Sequence, residues 1–212
     1  MQVKTVKTHF IKSSDKLEDI VLQYVVPAAS GSDIVVLCEK IVSIMQNRIV
    51  YKKDVKVSLA ARFLSKFAKK TPAGFSVGNP YKMQVAINLA GLPRILLASF
   101  LGGIGKLIGF SGTFYRVAGH GISRIDGFYG EAFKEYNEMG ILACKDGNKV
   151  CQELKDKFGL SFVIADVNDL GRNIVGRSND LKGKKRTILD ALKGNPAGQS
   201  NQQTPIVILK DV

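Results

Sequence analysis

GSDIVVLCEKIVSIMQNRIV, residues 31–50, is the stretch on which the fold class turns. DIVVL (33–37) is a continuous β-branched run, the composition of a strand covered on both faces rather than one with a wet side. EKIVSIMQN (39–47) follows without a spacer and reads as a short helix or helical turn at the strand's end. A buried strand that runs directly into a helix is a building block of mixed α/β proteins.

Working outward, the alternation continues in both directions. VKTHFI (6–11) has the alternating pattern of a strand, and SSDKLEDIVLQYV follows it. There Ser14 is placed to cap a helix with Leu17, Ile20, Val21 and Tyr24 on one face. Residues 55–70 predict an amphipathic helix with Leu59, Phe63, Leu64 and Phe67 inward and lysines outward. After a loop at 71–80, YKMQVAINLAGL is helical in period, and TFYRVA (113–118) reads as a strand. Residues 147–158 predict a helix, FVIAD (162–166) a strand, 181–194 a helix with a glycine stop, and PIVIL (205–209) a closing buried strand. No linker, repeat or low-complexity block divides the chain. The expectation is one mixed α/β unit over 1–212, or two interlocked subdomains, rather than domains in series.

Composition narrows the class further. The 212 residues are 45% hydrophobic and 23% charged, which excludes a disordered tail, a collagen-like fibre and a coiled-coil rod. Lysine and arginine number 31 against 18 acidic residues, a net +13. That charge attracts phosphates, polycarboxylates, nucleic acid or anionic lipid, or it reflects a lysine bias without a local target. Cys38, Cys144 and Cys151 make neither an even disulfide set nor a CxxC pair, and the N-terminus has no apolar signal-like run. Reduced thiols and a cytoplasmic location are the expectation. NLAGLPRILLASFLGGIGKLIGFSG (88–112) is free of charge only over 95–105, too short for the roughly 20 residues a bilayer span needs. It reads as a buried, glycine-rich packing segment, with no membrane partner.

Common catalytic signatures fail. Phe100 and Leu107 occupy the places that a phosphate loop around Gly105-Lys106 reserves for Gly and Ser or Thr, and the nearby glycines miss GxGxxG spacing. His9 and His120 are far apart in sequence, no HExxH or GxSxG occurs, and zinc chemistry is not expected. Three polar segments stand out instead: RVAGHGISRIDG (116–127), FVIADVNDLGRN (162–173) and NPAGQSNQQTP (195–205). Carboxylates at strand ends beside arginines and amides supply oxygens for a hard cation and positive charge for phosphate. Each aspartate alone is a common turn former, so the joint pattern carries the reading.

Read in order, these segments resemble the γ-glutamyl ligases of coenzyme F-420 biosynthesis. The resemblance runs from THFIKSSDKL and GSDIVVLCEKIVSIMQNRIV through FYRVAGHGISRIDG and IADVNDLGRN to GNPAGQSNQQTPIVI. It implies intertwined mixed sheets with flanking helices, a homodimer, and GTP- and divalent-metal-dependent addition of L-glutamate to a carboxylate. By position it makes Asp126 and Asp166 ligands of one metal and Gln199 a ligand of another, with Mg²⁺ or Mn²⁺ expected. It places nucleotide contacts at Thr8, His9, Phe10, Ile11, Glu39 and Lys40, and at Ala197, Gly198, Gln199, Ser200, Asn201, Gln202, Gln203 and Thr204. The sequence departs from the family pattern at Gly127-Phe128-Tyr129, at Val167 and at Ile44, which leaves GTP and ATP both open as the co-substrate.

The resemblance implies attack by the acceptor carboxylate on the nucleotide γ-phosphate, then displacement of phosphate from the acyl phosphate by the glutamate amine. Charge and place nominate Arg116, Arg124 and Arg172 to hold phosphate or carboxylate. A deazaflavin precursor is the expected acceptor, with a folate as the alternative on the same scaffold. Two readings of another class are a catalytically dead paralogue and a non-catalytic basic protein binding nucleic acid or other anions through 52–70 and 182–193. The latter leaves the strand-end aspartates unexplained and shows no nucleic-acid-binding motif. A membrane-surface role rests on charge alone and ranks last.

Overall fold

In the computed structural model, which describes residues 2–68, 77–119, 121–128, 134–168, 171–198 and 202–210, the apolar run at 33–37 forms strand β2 (Ile34–Cys38). β2 is the middle strand of a five-stranded sheet, and four of its five residues are buried. The sheet order is β1 (Gln2–Val6), β8 (Ile206–Lys210), β2, β6 (Ser161–Asn168) and β7 (Gly171–Arg177). β2 and β6 are parallel; β8 runs antiparallel to β2 and to β1, and β7 antiparallel to β6. The fold is mixed α+β, with this sheet, a second of three strands, and flanking helices.

The chain forms two units. One comprises residues 1–48 and 144–212, the other 49–143. In the first, helix α1 (Leu17–Ile20) runs on through a π-helical turn at Val21–Val25, and α2 (Glu39–Met45) follows β2 directly. Helix α7 (Gly147–Phe158) precedes β6, and α8 (Lys185–Ala191) precedes β8. Alternation along the strands gives one face to α8: Ile34, Val36, Val163, Ala165, Val207 and Leu209 pack with Ile188, Ala191 and Leu192.

The second unit holds the antiparallel sheet β3 (Ile49–Tyr51), β5 (Met139–Ile141) and β4 (Asp126–Gly127), with β5 in the middle. Its helices are α3 (Leu59–Ser65), α4 (Pro80–Ala90), α5 (Leu92–Leu107) and α6 (Thr113–Ala118). Ser58 starts α3 by accepting the Ala61 N–H, and Asn79 starts α4 by accepting the Tyr81 N–H, with Pro80 in the first turn. Leu64, Met83, Val85, Ile95, Ile122 and Phe128 are among its core residues.

Several local expectations change. Strand β1 ends at Val6, because the next paired contact, Thr8 N–H to Gln203 O at 2.9 Å, joins the chain to a loop instead of a strand. Helix α1 begins after Lys16, with no side-chain cap, so Ser14 does not cap it. In the 55–70 segment the helix is shorter and turned over: Ala61, Leu64 and Ser65 are buried, whereas Leu59, Phe63 and Phe67 are exposed. Leu64 packs inward as expected, and the small residues Ala61 and Ser65 take the places of Leu59, Phe63 and Phe67. TFYRVA (113–118) is helix α6 despite its strand-like composition. Gly102 and Gly105 of α5 let α6 close in, and a Cβ at Gly102 would lie 3.0 Å from the Phe114 Cβ. This tertiary contact overrides β propensity. The 88–112 segment uses those glycines for packing as expected, but only on one side. Leu96, Leu97, Phe100 and Ile104 are exposed rather than buried.

Candidate active site

Sheet direction brings several of the predicted segments to one end of the first unit. Parallel β2 and β6 bring their carboxyl ends together, while the antiparallel pairings bring the end of β1 and the start of β8 to the same level. Val6 and Leu37 are both in register with Ile206, and Cys38 with Ala165. The segments expected to contact nucleotide all emerge there: Thr8–Ile11 after β1, Glu39 and Lys40 after β2, and the 197–204 loop before β8. Hydrogen bonds tie them together, with Thr8 N–H donating to Gln203 O and Cys38 N–H to Pro205 O, each at 2.9 Å. Thr204 Oγ1 closes the loop on itself by donating to Ala197 O at 2.7 Å. Gly198 has φ +76°, and a Cβ there would meet the Gln202 side-chain amide at 2.6 Å, so this turn requires glycine. Gln199, Ser200 and Asn201 lie outside the described residues.

Glu39 is buried, and its Oε1 accepts the Cys144 N–H at 2.9 Å, which braces the start of α2. His9 is held from both sides. Its Nε2 stands 3.0 Å from Asp15 Oδ2 and its Nδ1 2.8 Å from the Tyr24 hydroxyl. An ionised carboxylate only accepts, so Nε2 donates to Asp15, and Nδ1 shares the second hydrogen bond with the Tyr24 hydroxyl. The Tyr24 hydroxyl also accepts the His9 backbone N–H at 3.3 Å. Burial works against charge on Asp15, but the Lys12 N–H and His9 outweigh it and hold this carboxyl below its usual range. Asp15 and Tyr24 escaped the sequence reading. Asp15 accepts the Lys12 N–H, three residues before it, at 2.7 Å, a local contact, whereas the Tyr24 contact depends on tertiary placement.

Asp166 lies near the carboxyl end of β6, half-buried, opposite Asn173 of β7. Val163 and Ala165 face α8, so alternation puts Asp166 on the other face of the sheet. Arg172 pairs with Val167 and takes the α8 face, where its Nη2 is 3.9 Å from Asp190 Oδ1. An open depression of about 470 Å³ on that face is lined by Arg172, Gly183, Lys185, Arg186, Leu189 and Asp190. Thus Arg172 and Asp166, adjacent in the sequence motif, are on opposite sides of the sheet.

The remaining predicted residues belong to the second unit. Arg116 is exposed on α6, and Arg124 is half-buried in a single 3₁₀ turn (Ile122–Arg124). Asp126 opens β4 opposite Ile141, and its Oδ1 accepts the Gly127 N–H at 2.8 Å. Tyr129 and His120 lie outside the described residues.

Residues 5–97 match the family described as F420-0:Gamma-glutamyl ligase. That segment of the chain is similar to the family. The match spans just under half of the chain, from the end of β1 into α5, and takes in Thr8–Ile11, Glu39 and Lys40. Asp126, Asp166 and Gln199 lie beyond it. No curated protein matches the chain. The family so described consists of γ-glutamyl ligases, which act on glutamate and a carboxylate-bearing substrate with nucleotide and metal.

The oxygen donors fit such a metal in kind. Asp166 contributes a carboxylate, with the amide of Asn173 as its cross-strand neighbour. Among the described residues no three His, Cys, Asp or Glu side chains converge on one point. A hard cation here would therefore complete its shell with nucleotide oxygens and water, as Mg²⁺ commonly does.

Proposed function

We propose that this protein is a γ-glutamyl ligase that joins L-glutamate to a substrate carboxylate through an acyl phosphate, using GTP or ATP and Mg²⁺ or Mn²⁺. The observation that carries the reading is the convergence of Thr8–Ile11, Glu39-Lys40, Asp166 and Gln202–Thr204 at one end of a single sheet. In open sheets with parallel strands, ligands bind beyond the carboxyl ends of those strands.

Joining a carboxylate to an amine in water is uphill, so the carboxylate needs a leaving group. One acceptor oxygen bonds to the γ-phosphorus as the bond to the β-phosphate oxygen breaks, releasing the nucleoside diphosphate. The unprotonated amine of L-glutamate then bonds to the acyl carbon, and phosphate departs with that acceptor oxygen. Positioning and charge neutralisation are the main demands of phosphoryl transfer. A bound divalent cation supplies that neutralisation. Asp166 would hold it, Gln199 a second ion, and the ligand role implied for Asp126 is part of the same proposal. The loop at Gln202–Thr204 and the segment Thr8–Ile11 hold the nucleotide, with the His9–Asp15–Tyr24 cluster keeping the latter in place. Lys40, half-buried at the start of α2, contributes positive charge.

The acceptor we favour is the deazaflavin precursor, because the quoted motifs extend past the matched residues to the end of the chain. Incubation with L-glutamate, Mg²⁺ or Mn²⁺, each nucleotide and either this precursor or tetrahydrofolate, read by mass spectrometry, tests it. The expected product is the deazaflavin with one glutamyl residue added. Product from the folate alone moves the assignment to that acceptor, and no glutamyl product from either overturns the ligase reading.

A further inference from the structure

Helix α5 is apolar around most of its circumference, yet only one side of it is packed. Ile95, Ala98 and Gly105 are buried, whereas Leu96, Leu97, Phe100, Ile104 and Leu107 are 48, 52, 66, 41 and 87% exposed. Successive helical residues turn by about 100°, so these five and Leu92 sweep an arc of about 140°. That arc contains no charged residue. Lys106 flanks it on one side and Arg94 on the other, where Arg94 Nε donates to Val117 O at 2.9 Å. Ile108 and Phe110 extend the exposed surface past the helix end. Scattered exposed leucines need no explanation, but a contiguous apolar face marks an interaction surface.

Charge decides what covers it. From Val55 to Ile125 the sequence has ten lysines and arginines, of which Lys82 is buried, and no aspartate or glutamate. A second copy that stacked α5 on α5 about a two-fold axis would set this carboxylate-free segment against itself. A bilayer with anionic headgroups answers both features, offering acyl chains to the apolar arc and phosphates to the cations. Among the described residues no single helix is long and apolar enough to cross a membrane, and α4 meets α5 at a bend of 117°. A helix of 16 residues, about 24 Å long, is suited to lie along the surface.

We propose that the outward face of α5 seats this protein on an anionic lipid surface. The helix lies in the plane of the headgroups, with the arc from Leu92 to Leu107 downward and Lys106 reaching phosphate from its margin. The interaction needs both an apolar arc and negative headgroups, which distinguishes it from charge attraction alone.

Co-sedimentation of the full chain with phosphatidylcholine vesicles, with and without phosphatidylglycerol, tests the proposal. Binding is expected only with phosphatidylglycerol, weakening as salt rises. Leu96→Gln, Phe100→Gln and Leu107→Gln combined should lower partitioning about 100-fold, with an unchanged circular dichroism spectrum. Should that variant misfold, Phe100→Trp provides a second reading, since the native chain has no tryptophan. Its emission is expected to shift to the blue on anionic vesicles. The proposal is overturned if the parent chain stays in the supernatant with both vesicles, or if the indole emission is unmoved by them. It is equally overturned if the parent is a dimer that the triple substitution splits, because a second copy then covers the face.

Discussion

Asp180 sits where several donors meet, just after β7. Its Oδ2 accepts from Ser161 Oγ at 2.5 Å and pairs with Lys155 Nζ at 3.0 Å. Burial alone would raise this carboxyl, but hydrogen bonds from Ser161, Ser178 and Lys155 prevail and bring it down to about 2. A folded value below the unfolded one means that the cluster stabilises the protein above about pH 4, and that this contribution fades as pH falls toward about 2. The side chain is about a third exposed, so solvent screens the pair and about 1 kcal/mol is a fair expectation. Asp180→Asn should lower Tm by about 2–4 °C at neutral pH, and melting curves taken down the pH scale should converge with the parent's below about pH 4. At the candidate site, Asp166→Asn should leave the melting curve intact and cut nucleotide turnover by about 10²–10³-fold. Near-normal turnover would remove Asp166 from the site. The same substitution at Asp126 tests its implied ligand role, and Gln199→Ala should chiefly raise the metal concentration that activity requires.

Among the elements, α5 and α6 show how two glycines of one helix differ. A Cβ at Gly105 would lie 2.5 Å from Thr113 Oγ1 and 3.0 Å from Thr113 Cβ, whereas one at Gly103 meets nothing within 4 Å. Gly103→Ala should therefore raise stability by up to about 1 kcal/mol through helix propensity alone. Gly105→Ala should lower it by about 1–2 kcal/mol, as overpacking outweighs the same gain. Thermal melts that moved in the same direction for both would contradict this crossing. The pair also explains what the sequence could show of the elements. The strands at 34–38, 161–168 and 206–210 were legible because burial on both faces selects β-branched runs whatever their neighbours are. The face of α3 and the state of 113–118 were not, since both depend on which partner comes close. Leu59 and Phe63 look like core residues until Ser58 fixes the helix start and Ala61 and Ser65 become the residues that pack. Of the candidate site, the motifs nominated Asp166 and the 197–204 loop, but only strand alternation shows that Arg172 faces α8. Nothing in the sequence could have paired His9 with Tyr24, whose contact spans 15 residues and a helix.

At the scale of the molecule, the two ends of the chain build one sheet. β2 lies between β8 and β6, which are 206–210 and 161–168, so the matched residues 5–97 contain neither of its neighbours. β1 likewise depends on β8. A fragment ending at Leu97 should show no cooperative unfolding transition, because β2 would expose a fully apolar strand with both edges unpaired. A sharp melt of that fragment would contradict the sheet order. The same closure places the segment after β1 and the loop before β8 side by side, and the ligase reading rests on that juxtaposition. It is tested most directly by following one oxygen. With an acceptor labelled with oxygen-18 in its carboxylate, L-glutamate, nucleotide and divalent metal, the account predicts a glutamylated product and one labelled oxygen in the phosphate released. Glutamylated product with unlabelled phosphate would contradict the acyl phosphate, and nucleotide left intact with no glutamylated product would contradict the ligase itself.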